Sequence, residues 1–221
     1  MRKTKIAPGE YYHIFNRGNN KQKIFLEEKD WARFLFLILY LQSPFVFYNI
    51  SRHVNNFVRH RVFNISKKAL QNVLGNKTVE LVCFVQMPNH FHLIVKEINE
   101  GGISQYLQRI QDAYTKYFNV KYGSSGHLFQ GPFKAAHIKN NEQLLYLSAY
   151  IHRNPREIKQ WHKKEHLFNW SSYKDCVDNN RWENLLKNEI IVGQFKTEKQ
   201  YKEFVDTSGT KLLLNEEHLI I

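Results

Sequence analysis

Two β-rich runs lie close together near the middle of the chain, Val79 to Gln86 and His90 to Lys96, with Met87-Pro88-Asn89 between them. Short apolar runs joined through a proline-bearing turn predict an antiparallel hairpin. The rest of the chain has to be arranged around it. Tyr11 to Asn16 alternates apolar with polar residues between Gly9 and Gly18 and reads as a strand. Glu27 to Gln42 carries Trp31, Phe34, Leu35, Ile38 and Leu41 at helical spacing before Pro44, which predicts a helix that stops there. Ile103 to Val120 repeats Ile103, Leu107, Ile110, Tyr114 and Tyr117, an amphipathic helix broken by Gly123-Ser124-Ser125-Gly126. Phe133 to Ile138 reads as a strand. Glu142 to Arg153 reads as a helix closed by Pro155, because the residue before proline avoids the α region.

The resulting order, β-α-insertion-β-β-α-β-α, predicts an α+β fold. The expected layout is a ferredoxin-like antiparallel sheet with helices on one face, carried by residues 1–175. Residues 45–77 form a basic insertion with a short helix from Ser66 to Leu74, capped by Ser66 and ended by Gly75-Asn76. It is either a DNA-facing element or a solvated excursion. Residues 176–221 form a helical tail.

Charge narrows the partners. With 32 Lys and Arg against 20 Asp and Glu, the chain has a formal net charge of +12. Cations in such excess favour a polyanion, since they release the counterions condensed on phosphates. The 43% apolar content excludes a chain disordered throughout. Cys83 and Cys176 are too far apart for a CxxC site, which fits a reducing compartment. The basic N-terminus runs into Pro8-Gly9-Glu10, unlike a signal peptide, and the Phe34 to Leu41 run is too short to span a bilayer. A cytoplasmic protein with no membrane partner is expected.

The sharpest chemical feature is His90-Phe91-His92. On a strand, residues i and i+2 share a face, so both imidazoles project from one side and Phe91 from the other. Two neutral imidazoles so placed can bind one divalent cation, although a packed pair of histidines satisfies the same pattern. Tyr150-Ile151-His152-Arg153-Asn154-Pro155 is the second feature. Tyr150 and Asn154 are i and i+4 on a helix and share a face, whereas His152 lies on another. A phenol is a poor nucleophile at its free pKa of about 10, and a nearby cation favours the phenolate. The Asn154 amide oxygen can add a hard ligand. Alternatively, Tyr150 packs in the core and Asn154 ends the helix. Tyr114 and Tyr117 are better explained by packing or base stacking than by catalysis.

Taken together, the motifs resemble those of the HUH-type single-tyrosine transposases of small insertion sequences, and within them the REP-associated tyrosine transposase group. The resemblance covers residues 8 to 175 and rests on Tyr12-His13-Ile14-Phe15-Asn16-Arg17-Gly18, Met87-Pro88-Asn89-His90-Phe91-His92, Gly126-His127-Leu128-Phe129-Gln130-Gly131-Pro132-Phe133-Lys134, Tyr150-Ile151-His152-Arg153-Asn154-Pro155 and Trp170-Ser171-Ser172-Tyr173, in the family's order. It implies metal ligands at His90, His92 and Asn154, a nucleophile at Tyr150, and Mg2+ or Mn2+ as cofactor. It further implies nicking and strand transfer of single-stranded DNA beside hairpins, through a covalent phosphotyrosine, by a monomer or homodimer. The family's glycine-glutamine segment is commonly followed by arginine; Pro132 stands there in this chain, so the expected phosphate contact is either weaker or shifted to Lys134. Arg17, Lys21, His127, Gln130, Lys134, Arg153 and Arg156 are the expected DNA contacts. Two other readings compete with the enzyme. One is a non-catalytic, domesticated hairpin-binding protein. The other is a water-using metallohydrolase, for which the sequence offers neither an acidic cluster nor a HExxH helix.

Overall fold

The computed structural model describes residues 4–209. Its centre is a four-stranded antiparallel sheet of β1 (Tyr11–Arg17), β2 (Val79–Met87), β3 (His90–Glu97) and β4 (Lys134–His137), in the order β2-β3-β1-β4. The hairpin expected from the two central runs is β2–β3. The carbonyls of its Pro88-Asn89 turn are taken by the chain that follows β1, with Gly18 N–H donating to Asn89 O (2.8 Å) and Ile24 N–H to Pro88 O (2.9 Å). Gly18 has no room for a side chain, since the chain after β1 folds back on it and a Cβ there would lie 2.2 Å from Gln22 O.

One face of the sheet is covered by α1 (Glu28–Tyr40) and α4 (Gly102–Tyr122). Tyr12, Ile14, Phe84, Phe91, Leu93 and Val95 project into this core. Buried Glu97 caps α4 by accepting from Gly102 N–H (3.1 Å) and Ile103 N–H (2.6 Å). The amide of Gln42 closes the end of α1. It donates to Leu39 O (2.8 Å) and Leu185 O (2.7 Å) and accepts from Leu81 N–H (3.0 Å), so the helix stop and the start of β2 are one hydrogen-bonded unit. The insertion folds as α2 (Ile50–His60) and α3 (Lys67–Gly75), packed outside α1 through Val54, Phe57, Phe63 and Val73. Ser66 caps α3 by accepting from Ala69 N–H.

The expected α+β, ferredoxin-like order is present, but the expectation of helices on one face needs correcting: the second face is also covered. There α5 (Asn141–Arg153), α6 (Tyr173–Val177), α7 (Glu189–Val192) and α8 (Glu198–Thr207) enclose a second core with Val82, Cys83, Val85, Met87 and Ile94. The reason lies in β2, where eight of nine residues are buried. A strand apolar on both sides needs a layer on each. A β-bulge between Leu81 and Cys83 lets the consecutive Val82 and Cys83 both enter the second core. The segment after residue 175 therefore completes that core through Tyr201 and Val205; residues 210–221 of the expected tail lie outside the described residues. No helix among the described residues is long and apolar enough to cross a membrane.

Candidate active site

β3 presents His90 and His92 towards α5, while Phe91 between them packs on Phe34 of α1, ring centroids 4.9 Å apart. Tyr150 and Asn154 come to the same place from α5 and from the 3-10 turn Asn154–Glu157 that begins at Asn154 and Pro155. The Tyr150 and His92 rings meet edge to face at 5.6 Å, and those of His90 and His92 at 5.2 Å. Two segments far apart in the chain thus converge on one point.

Hydrogen bonds orient each donor atom. Asn89 Oδ1 lies 2.7 Å from His90 Nδ1; an amide oxygen only accepts, so Nδ1 carries the proton and Nε2 the lone pair. Asn154 Nδ2 donates to Tyr150 O (2.9 Å), which turns Asn154 Oδ1 towards His90 Nε2 at 3.3 Å. Two lone pairs then face one another, an arrangement that a cation relieves. His92 Nδ1 is 2.8 Å from His13 Nε2, and His92 Nε2 is buried with no hydrogen-bond partner among the described residues. Burial pulls the His90 pKa down to about 4, with help from Arg17 and against the Asn154 amide oxygen, which would accept from the protonated ring; burial first, then His13 and His90, takes His92 well below its ordinary value. Both imidazoles are therefore neutral, as metal ligands must be. Among the described residues no three His, Cys, Asp or Glu side chains cluster to hold a metal. The donor set that fits a divalent ion is two imidazoles and one amide oxygen, with His13 and Asn89 orienting the rings from behind.

Burial raises the Tyr150 phenol to about 12, Glu157 pushes it the same way, and the Asn154 amide works against both. A phenol so placed is protonated at neutral pH unless positive charge is brought beside it.

The other residues singled out in the sequence divide into groups. Arg17 Nε donates to Gln130 Oε1, Gln130 N–H to Arg17 O (2.8 Å), and Asn16 Nδ2 to Gly131 O (3.0 Å), so the end of β1 and the 127–134 loop are fastened together beside His90. Lys134 is exposed on β4, paired across from Phe15; Lys21 is exposed after β1, and His127 is exposed beside α4. Arg153 and Arg156 are engaged within the protein. Arg153 donates to Ser208 O, and Arg156 pairs with Glu165 and with Asp206 (3.1 Å), tying the end of α5 to α8. His152 is buried away from the site, with Nδ1 2.8 Å from Tyr201 Oη and Nε2 2.8 Å from Ser172 Oγ. Tyr114 donates to Ile24 O (2.6 Å) and Tyr117 to Asp30 (2.8 Å) in the opposite core, which leaves both in packing roles. Sequence reasoning missed a function for His13. It stood inside a quoted motif, but only the β1–β3 register brings it to His92.

None of the curated proteins is significantly similar to the chain in sequence. A solved structure described as a REP-associated tyrosine transposase bound to a REP hairpin shares the fold, with a TM-score of 0.53 at 15% identity over 80% of this chain and 84% of that one. The family model described as "Transposase IS200 like" matches residues 37–154, a stretch that holds His90, His92, Tyr150 and Asn154 and exceeds half of the chain, and on that ground this protein belongs to the IS200-like transposases.

Proposed function

We propose that the protein nicks single-stranded DNA next to hairpins and rejoins it through a covalent link to Tyr150. The observation that carries this is the meeting of His90 Nε2, Asn154 Oδ1 and the unpartnered His92 Nε2 beside the Tyr150 ring. His90, His92 and Asn154 would hold Mg2+ or Mn2+, and a divalent ion there supplies the positive charge that polarises the scissile phosphate and favours the phenolate. Tyr150 Oη attacks phosphorus, a P–O bond to tyrosine forms, and the bond to the 3′ oxygen breaks. The phenol gives up its proton and the leaving 3′ oxygen gains one, so a free 3′ hydroxyl and a 5′-phosphotyrosyl strand result. One phosphodiester replaces another, so the reverse attack reseals DNA without a nucleotide cofactor. Arg17, Lys21, His127, Gln130 and Lys134 would position the phosphates and bases of the strand. The REP hairpin named for the structural neighbour supports a hairpin as the partner here.

The test is incubation of labelled hairpin DNA with single-stranded flanks, with and without Mn2+, followed by a denaturing gel. Wild type is expected to give a metal-dependent protein–DNA adduct, and Tyr150→Phe to bind the hairpin without one. An adduct from Tyr150→Phe sinks the nucleophile assignment. Hairpin binding with no nicking on any substrate by wild type favours the non-catalytic binding protein.

A further inference from the structure

Between Asp30 and Glu80 the chain contains no acidic residue, and the insertion within that stretch carries Arg52, Arg59, Arg61, Lys67, Lys68 and Lys77. Within the insertion, α2, the segment that leads into it and the start of α3 line an open cleft of about 990 Å³. It lies beyond α1, across the sheet from the His90–His92 pair. Arg52, Arg59 and His60 line it as exposed residues, alongside the amides of Asn55 and Asn64. Neither arginine has an ion pair among the described residues, whereas Arg61 outside the cleft is spent on Glu28. Tyr48 lies at the rim with 80% of its surface exposed, a large aromatic left in water.

The walls are fixed. The Arg109 guanidinium of α4 donates to Ser43 O and to Phe45 O (2.7 Å), holding the segment that leads to Tyr48. Asn56 Nδ2 donates to Val62 O (2.7 Å), holding the α2–α3 turn. The His53 ring stacks on Phe36 of α1 at 5.5 Å. Unpaired cations, free amides and an exposed ring around a fixed concave surface match the needs of unpaired nucleotides: charge for the backbone, a stacking platform and hydrogen-bonding groups for base edges. A blunt duplex hides its base faces and cannot use the ring.

We infer that the α2–α3 cleft is a second DNA site, which takes an unpaired stretch of the DNA whose cut is made on the other side of the sheet. The inference rests on the proposed DNA-cutting function only in naming DNA as the polymer. Its test is fluorescence anisotropy of the full chain in EDTA, with labelled oligo-dT of about 15 nucleotides and a blunt duplex of the same length. The combined Arg52→Glu and Arg59→Glu change is expected to weaken oligo-dT binding about a hundredfold and to flatten the log–log salt dependence by about 1.4, or 0.7 for each lost phosphate contact. Tyr48→Ala is expected to weaken oligo-dT about tenfold and the duplex far less. The combined Arg52→Lys and Arg59→Lys change should retain binding. All these positions are exposed, and an unchanged melting curve confirms each variant's fold. Oligo-dT affinity unchanged by charge reversal overturns the site. So does an equal loss on duplex after Tyr48→Ala, and an oligo-U that binds more tightly than oligo-dT overturns the assignment to DNA. The two proposals fail separately. Absence of a Tyr150 adduct in wild type leaves the EDTA binding data readable, and unchanged binding alongside normal adduct formation removes only the cleft.

Discussion

Asp30 has no exposed surface, yet its carboxylate gathers five donors: the amides of Leu26 (2.9 Å) and Glu27 (3.0 Å), the hydroxyls of Tyr117 (2.8 Å) and Tyr122 (2.7 Å), and the Lys121 ammonium (2.6 Å). Burial alone would raise its pKa; Lys121 foremost, with Tyr122, the Leu26 amide and Tyr117, outweighs that and lowers it. A carboxylate whose folded pKa lies below the unfolded value contributes stability above the unfolded value, about 3.9, and loses it as pH falls through the folded one. Asp30→Asn should therefore cost about 3 kcal/mol in urea unfolding at pH 7, because it leaves Lys121 without its buried partner. The gap between variant and wild type should close only below about pH 4. A gap that closes already at pH 6 would contradict the assignment. His13 acts on another residue in a different way, through the 2.8 Å contact of its Nε2 that orients the His92 ring. His13→Ala is expected to weaken Mn2+ binding about 10- to 100-fold by calorimetry, the range for a lost orienting partner, while hairpin binding in EDTA is unchanged.

At the scale of elements, α5 works on two faces. Tyr150 faces the imidazoles, and one residue pair further His152 anchors the opposite side of the helix to β2, α8 and the Ser172 turn through Cys83 Sγ (3.2 Å), Tyr201 Oη and Ser172 Oγ. Burial holds the His152 pKa at about 3, so this anchor is neutral. His152→Leu should destabilise the protein by about 1–2 kcal/mol in chemical denaturation, since it removes the buried hydrogen bonds to Tyr201 Oη and Ser172 Oγ, while Tyr201 keeps Ser148 and Ser172 keeps Phe84 as partners. It should also slow adduct formation, because the rotation of α5 that aims Tyr150 is no longer fixed. An unchanged adduct rate would show that the helix is held by apolar packing alone. The elements themselves were legible in sequence wherever one period dominates, as in α1, α4 and the β2–β3 hairpin. That α5 and the tail helices cover the second face of the sheet was not. Its strongest sign was the nearly unbroken apolar run of β2, which periodicity cannot separate from a one-faced strand interrupted by a bulge. The site was legible as four residues, two per motif. His13 was hidden because strand register between distant segments is set by packing. Arg153 and Arg156, adjacent to the site in sequence, also bond within the protein, Arg153 to the Ser208 carbonyl and Arg156 to Glu165 and Asp206, partners that no local pattern announces.

Over the whole molecule, β2 and β3 belong to both cores: Leu81, Phe84, Phe91 and Leu93 face one, and Val82, Cys83, Val85 and Ile94 the other. A sheet shared in this way cannot lose one covering layer without exposing apolar strand residues, so the two halves should unfold together. The candidate metal site lies between the shared sheet and α5 and bridges the second core. A cation bound there stabilises the folded state by mass action, about 2.7 kcal/mol at a concentration a hundred times the dissociation constant. For a domain of this size each kcal/mol moves the midpoint by about 2–4 °C, so saturating Mn2+ should raise it by about 5–10 °C. The rise should appear as a shift of one transition, in Tyr150→Phe as in wild type, because the phenol is no ligand in this reading. It should be absent in the combined His90→Ala and His92→Ala change. Scanning calorimetry that finds two transitions, only one of them moved by Mn2+, would separate the cores energetically; an equal rise in the double histidine variant would place the cation somewhere else.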